Sequence, residues 1–219
     1  MIAQTWKDLW YVAWAPLLEG NLYRHKLFNG HKKQGLKLNI GCGSSRFSGW
    51  LNIDGNFRHH PDMWLDVTRG LPFKPGSVEV IYASHFFEHL YLAKLKRLLV
   101  ECRRVLSETG VLRVAVPNLE AAIIAYQRDD PIWFSRFPAE FRSVGGRFFN
   151  EMLCDDQHRL MFDFTFIDEL LVDAGFSEIT RASRGKSRFL AADDGPLAHE
   201  KAADSGKLPD PWLLVKAIP

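Results

Sequence analysis

The chain is 219 residues long, 47% apolar and 25% charged, and its 28 Lys and Arg stand against 26 Asp and Glu for a formal net charge of +2. This fits one globular domain with a well-buried core and an added segment, not two full domains. The even charge balance argues against a dedicated nucleic-acid binder; three widely spaced cysteines, Cys42, Cys102 and Cys154, argue against a disulfide framework or structural zinc site and for a reducing, cytoplasmic setting.

Residues 1–34 read as a separate N-terminal helical segment. The apolar run from Leu9 to Leu18 has no basic leader and is too short to span a bilayer. Trp6, Trp10 and Trp14 form one helical stripe, which leaves a lid packed on its own domain and a homodimer contact as the open roles.

The remainder, 35–219, alternates strands with helices. "LKLNI" (36–40) is a first strand that stops at Gly41, and "WLNID" (50–54) is a second, ending at Asp54. "MWLDV" (63–67) is a short third strand, and "VEVIYAS" (78–84) a fourth, apolar enough to be buried on both faces of a parallel sheet. Leu92, Leu95, Leu99, Cys102 and Leu106 recur at helical spacing, with Gly110 placed to cap that helix. "VLRVAV" (111–116) is the fifth strand, stopped by Pro117.

An aromatic-rich, irregular insert occupies about 129–150, with Trp133, Phe134, Phe137, Phe141, Phe148 and Phe149. "TFIDELLVDAG" is a helix with Thr165 as its expected N-cap and Gly175 past its end. Two last strands, near 178–182 and 212–217, bracket a polar stretch of about 183–210 that reads as a surface loop or flap. Alternation of this kind implies an α/β domain with a mostly parallel sheet, whose ligand lies outside the C-terminal strand ends.

Those ends carry a glycine turn, Gly41 to Ser45, an acid at Asp54 eleven positions after Gly43, a second acid at Asp66, and "SHFFEHL" from Ser84. Glycines let a ligand rest on the main chain, and an acid ending the next strand can accept from paired ribose hydroxyls. Alone, each feature also fits a ligand-free turn or a solvated strand end. In succession, "LNIGCGSSRFSGWLNIDG", "LDVTRGLPFKPGSVEVIYASHFFEHL", "RRVLSETGVLRVAVPNLE" and "HRLMFDFTFIDELLVDAGF" resemble class I S-adenosylmethionine-dependent methyltransferases, in particular the bacterial group with a shortened first crossover. The resemblance covers about Lys37 to Ile179 and leaves out the N-terminal segment and the flap.

The resemblance implies a Rossmann-like, seven-stranded sheet flanked by helices and S-adenosylmethionine as cofactor. Gly41, Cys42, Gly43 and Ser44 would approach its methionine part, Asp54 with Gly55 the ribose, Asp66 and Val67 the adenine, and Ala83, Ser84 and His85 the floor near the sulfonium. This cofactor has no phosphates, so the turn need not open an anion-cradling helix. The acceptor implied is a small molecule, a sugar or secondary metabolite methylated on a hydroxyl, with the insert closing over it.

A hydroxyl acceptor calls for a base or a metal ion. On a helix, His85, Glu88 and His89 at i, i+3 and i+4 would share one face and could supply a base or hold a divalent cation such as Mg²⁺, although imidazole suits that ion poorly. Bracing of the loop above is the third open role. His158 is a second base candidate, against an ordinary surface histidine. Two other readings compete: His85-Phe-Phe-Glu88-His89 fits the H-x-x-E-H of a zinc-dependent hydrolase, and a cofactor-fold binding protein without chemistry would keep the same scaffold.

Overall fold

The computed structural model describes residues 35–191, 194–203, 206–207 and 209–219. The expected N-terminal helical segment and its tryptophan stripe lie outside these residues. Seven strands, β1 (Leu36–Ile40), β2 (Leu51–Asp54), β3 (Met63–Trp64), β4 (Val78–Ser84), β5 (Leu106–Pro117), β6 (Glu178–Arg181) and β7 (Trp212–Ile218), make one sheet in the order β3-β2-β1-β4-β5-β7-β6. The pairs from β3 to β5 are parallel, and β7 runs antiparallel to both its neighbours. This is the mostly parallel seven-stranded architecture the sequence predicts.

Period-two alternation gives each central strand two buried faces. Ile81 and Ala83 of β4 and Leu112 and Val114 of β5 join one core cluster, which is covered by two helices. α1 (Leu92–Val105) contributes Leu95, Leu98, Leu99 and Cys102, and a helix begun by Asp163 contributes Ile167, Leu170 and Leu171. On the opposite face, Val80, Tyr82 and Val111 pack with Phe47, Trp50, Leu190 and Leu197.

α2 (Leu119–Gln127) is capped by Asn118, whose side chain accepts from the Ala121 amide. The insert that follows is less irregular than its sequence reads, because its last third runs into α3 (Val144–Leu153). Trp133 and Phe134 are buried with Ala121, Ala122, Ala125 and Met152, so these rings are the insert's own core. Phe137, Phe141 and Phe149 remain exposed. The buried Asn150 holds the segment by accepting from the Ala139 amide and donating to the Phe137 carbonyl.

Three expectations are corrected. Gly110 does not cap α1: the helix ends at Val105, and β5 already begins at Leu106, paired with Val78. Gly110 then stands inside β5, where a Cβ would come within 3.1 Å of the Glu79 carbonyl oxygen. α4 (Phe164–Asp173) is capped by Asp163 rather than Thr165, the Asp163 carboxylate accepting from the Phe166 amide.

The stretch 183–210 is not a flap. It contains α5 (Gly195–Ala202), and its Leu190 and Leu197 are buried against the sheet. There it fills the face that a helix between β1 and β2 would cover, since only ten residues join those strands. Arg113 of β5 and Glu200 of α5 lock it down through a buried two-pronged ion pair at 2.6 and 2.7 Å. Glu200 also accepts from the Gly185 amide, and Arg113 donates to the Ser183 carbonyl.

Candidate active site at the strand ends

The short link from β1 to β2 is held by buried amides instead of a helix. Asn39 donates to the Ser45 carbonyl at 2.7 Å and to Asn52 at 3.0 Å. Asn52 in turn accepts from the Phe47 amide and donates to the Phe47 carbonyl and to Asp62. Burial works to raise the Asp62 carboxyl, but hydrogen bonds from the Asn52 backbone and side chain and from Arg46 outweigh it and hold the group below its ordinary range.

That frame presents Gly41–Ser44 at the end of β1. The Gly43 amide donates to Asp54 Oδ2 at 2.8 Å, and the Asn56 amide donates to Oδ1 at 2.6 Å. Each carboxylate oxygen has a second lone-pair direction, so Asp54 can still accept from a pair of hydroxyls. Gly43 has φ of +51°, and beyond its chain neighbours no atom of the described residues lies within 4 Å of where its Cβ would stand. The residues present therefore fit a ligand resting on the main chain with hydroxyls on Asp54.

Gly41 is different: with φ of +64°, its missing Cβ would stand 2.3 Å from the Phe86 ring. Phe86, which sequence reasoning passes over, therefore forms the wall beside the turn. Cys42 is buried, its thiol pushed up to about 12 by burial and then by the Asp54 charge, so it lines the turn as a neutral group. Ser44 is exposed, and the Gly55 carbonyl accepts from the Trp64 indole.

Asp66 caps the 3₁₀ turn Val67–Arg69, its Oδ1 accepting from the Thr68 amide and hydroxyl. Val67 and Ala83 are buried in the main core and reach a ligand only through backbone. The Ser84 hydroxyl is buried and has no hydrogen-bond partner among the described residues. His85 follows at φ +49°, a left-handed conformation uncommon for a side-chain-bearing residue and most frequent at functional sites.

The stretch after His85 is not the expected helix turn. Phe87–His89 form a 3₁₀ turn, and the regular helix starts only at Leu92. The H-x-x-E-H pattern is thus not presented on a helix, as a zinc hydrolase requires. His85 Nδ1 instead lies 3.2 Å from Oε1 of the fully buried Glu88, and its ring meets Trp212 edge-on at 4.5 Å. Burial works to raise the Glu88 carboxyl, but the His85 hydrogen bond and the His85 and His89 rings outweigh it, so the group sits below its ordinary range.

His158 is brought to this place from the far side of the insert. Cys154, Asp155 and Asp156 are three successive left-handed residues, which reverse the chain after α3. The Arg159 and Leu160 amides then donate to the Glu88 carbonyl, and the His158 and His89 rings meet at 5.0 Å. Glu88, His89 and His158 each offer a donor atom within 4.8 Å of the others, a set to which His85 does not belong. Burial chiefly lowers the His158 imidazole below its ordinary range.

The region sequence reasoning missed comes from the supposed flap. His199 Nε2 lies 3.4 Å from the Ser45 hydroxyl, and its ring stands 5.9 Å from Trp212. Burial first, then the neighbouring His85, lowers the His199 imidazole, which favours its neutral form. Arg184 stacks over Trp212 at 4.5 Å and pairs with Asp210. Ser45, His199, Trp212, His85 and Glu88 thus form a continuous belt across the strand ends. In the insert, Arg147 donates to the Phe141 and Pro131 carbonyls, and Arg136 pairs with Glu140.

The fold is that of S-adenosylmethionine-dependent methyltransferases. Residues 63–114 match the family model described as "Methyltransferase domain". An S-adenosylmethionine-dependent methyltransferase from Archaeoglobus fulgidus superposes with a TM-score of 0.52 at 14% identity, over 90% of this chain and 93% of that one. A second from Thermotoga maritima, described as a possible histamine N-methyltransferase, superposes with a TM-score of 0.53 at 14% identity, over 98% and 95%. No curated protein matches the sequence.

Proposed function

We propose that this protein transfers a methyl group from S-adenosylmethionine to a hydroxyl of a small molecule, a sugar or secondary metabolite. The observation that carries the reading is the open Gly43 amide turn bonded to Asp54 at 2.8 Å, at the paired ends of β1 and β2. Gly41–Ser44 would hold the methionine part, Asp54 and Gly55 the ribose, Asp66 and Val67 the adenine, and Ala83–His85 the floor. When bound, S-adenosylmethionine supplies a sulfonium methyl already activated by its charge, so the chain's task is placement and removal of the acceptor proton.

His85 is the group proposed to take that proton. Its Nδ1 faces a buried carboxylate, which fixes Nδ1 as the protonated nitrogen and leaves Nε2 as the base. Glu88 then acts as a positioning residue. His158, and His199 on the glycine-turn side, are the alternative bases, and Trp212 offers an aromatic face to a sugar ring or planar acceptor. A divalent cation is proposed as well, at a site independent of the cofactor seat. No helix among the described residues is long and apolar enough to cross a membrane. The cytoplasmic setting, and a second copy meeting through Trp6, Trp10 and Trp14, remain proposals drawn from sequence.

The test is transfer of isotope-labelled methyl from S-adenosylmethionine to a panel of sugars and phenolic or alcoholic metabolites. Hydroxyl labelling that falls about 100-fold or more in His85→Ala at saturating S-adenosylmethionine is the expected result for loss of a general base. Labelling of amines alone, or undiminished labelling in His85→Ala, overturns the hydroxyl and His85 assignments.

A further inference from the structure

The buried cluster beside His85 carries a site of its own. His89 Nδ1 faces the Gln157 carbonyl at 3.0 Å, and His158 Nδ1 faces the Met152 carbonyl at 2.8 Å. A carbonyl oxygen only accepts, so both Nδ1 atoms carry the proton and both Nε2 atoms keep their lone pairs. Outer hydrogen bonds of this kind orient metal-ligating imidazoles. Glu88, fully buried, turns Oε1 to His85, while Oε2 is buried with no hydrogen-bond partner among the described residues.

A buried carboxylate oxygen left without a donor is costly unless a positive charge stands beside it. The left-handed run Cys154–Asp156 points the same way, since backbone of this kind persists where the surroundings impose it. Its effect is to seat His158 opposite His89.

We propose that Glu88, His89 and His158 bind a zinc-type transition-metal dication. Two imidazole nitrogens and one carboxylate oxygen suit Zn²⁺ or Co²⁺ and suit Mg²⁺ poorly, since Mg²⁺ prefers oxygen ligands and retained water. Three protein donors would leave a coordination position for water or another ligand. The ion also clips the chain after the insert to the end of β4. The site differs from the set His85, Glu88 and His89 expected from sequence, because the 3₁₀ turn sends His85 to Trp212. It stands apart from the methyl-transfer reading, as it binds its ion with or without cofactor.

The full chain carrying Cys154→Ser, which removes the half-buried thiol as a competing ligand, is stripped with chelator and titrated with Co²⁺ alone. The expected result is saturation near one equivalent with the visible bands of a four- or five-coordinate ion, reversed by Zn²⁺ and not by millimolar Mg²⁺. His89→Ala and His158→Ala should each weaken binding at least roughly 100-fold, the upper end of what loss of an outer-shell partner alone produces. Zn²⁺ should also raise the melting temperature of the Cys154→Ser chain where Mg²⁺ does not, a readout that needs no ligand variant. Absence of saturable bands, absence of the Zn²⁺-dependent rise, or unchanged affinity in both histidine variants overturns the site.

Discussion

Asp163 sets the start of α4: its Oδ1 accepts from the Phe166 amide at 2.8 Å and from the Thr165 hydroxyl at 2.9 Å. The Phe166 amide, aided by Thr165 and opposed by burial, holds this carboxyl below its ordinary 3.8. A depressed carboxyl contributes stability above its unfolded pKa and loses it as pH falls through the folded value. Asp163→Ala should therefore cost about 1 kcal/mol at neutral pH, with the gap to the parent closing below about pH 3.8; urea melts at stepped pH measure it, and a gap independent of pH contradicts the assignment. Sequence reading placed the cap at Thr165; Asp163 has the same capping chemistry, and only its bond to the third helical amide identifies it. The left-handed His85 and Cys154–Asp156 were not legible at all, because no glycine marks them. Gly43 and Asp54, by contrast, were legible because their chemistry is local.

Among the elements, α5 shows where pattern reading stops. Its neighbourhood is polar enough to read as a flap, yet Leu190 and Leu197 are buried and Glu200 is fully buried against Arg113, 87 positions away. A charge looks solvent-facing in sequence until its partner is known, and a partner that distant leaves no local periodicity. Breaking a buried pair strands the other charge, so Glu200→Ala should destabilise the fold by about 3–5 kcal/mol in chemical denaturation. Glu120→Ala, which removes the exposed partner of Arg181, should cost under about 1 kcal/mol. Equal small losses in the two variants would show that α5 does not hold the sheet face as described. Gly110 failed as a cap signal for a related reason: pairing of Leu106 with Val78 draws the chain into β5 before a helix cap can form.

Across the whole molecule, the mostly parallel sheet was legible because apolar strand-like runs alternate with a periodic helix, the pattern of α/β domains. Its consequence is that β1, β2 and β4 end side by side, gathering Gly43, Asp54 and His85 from three parts of the sequence. The belt around them was only partly legible. His199 lies 154 positions from Ser45, and His158 reaches His89 only through the left-handed turn. Calorimetric titration of the parent and Asp54→Ala with S-adenosylhomocysteine tests most directly whether the glycine turn and Asp54 form a cofactor seat. One-site binding by the parent, weakened in the variant by about 1.5–3 kcal/mol with the fold intact, is the predicted result. A folded parent that binds neither this compound nor S-adenosylmethionine, or equal affinity in the variant, would contradict it.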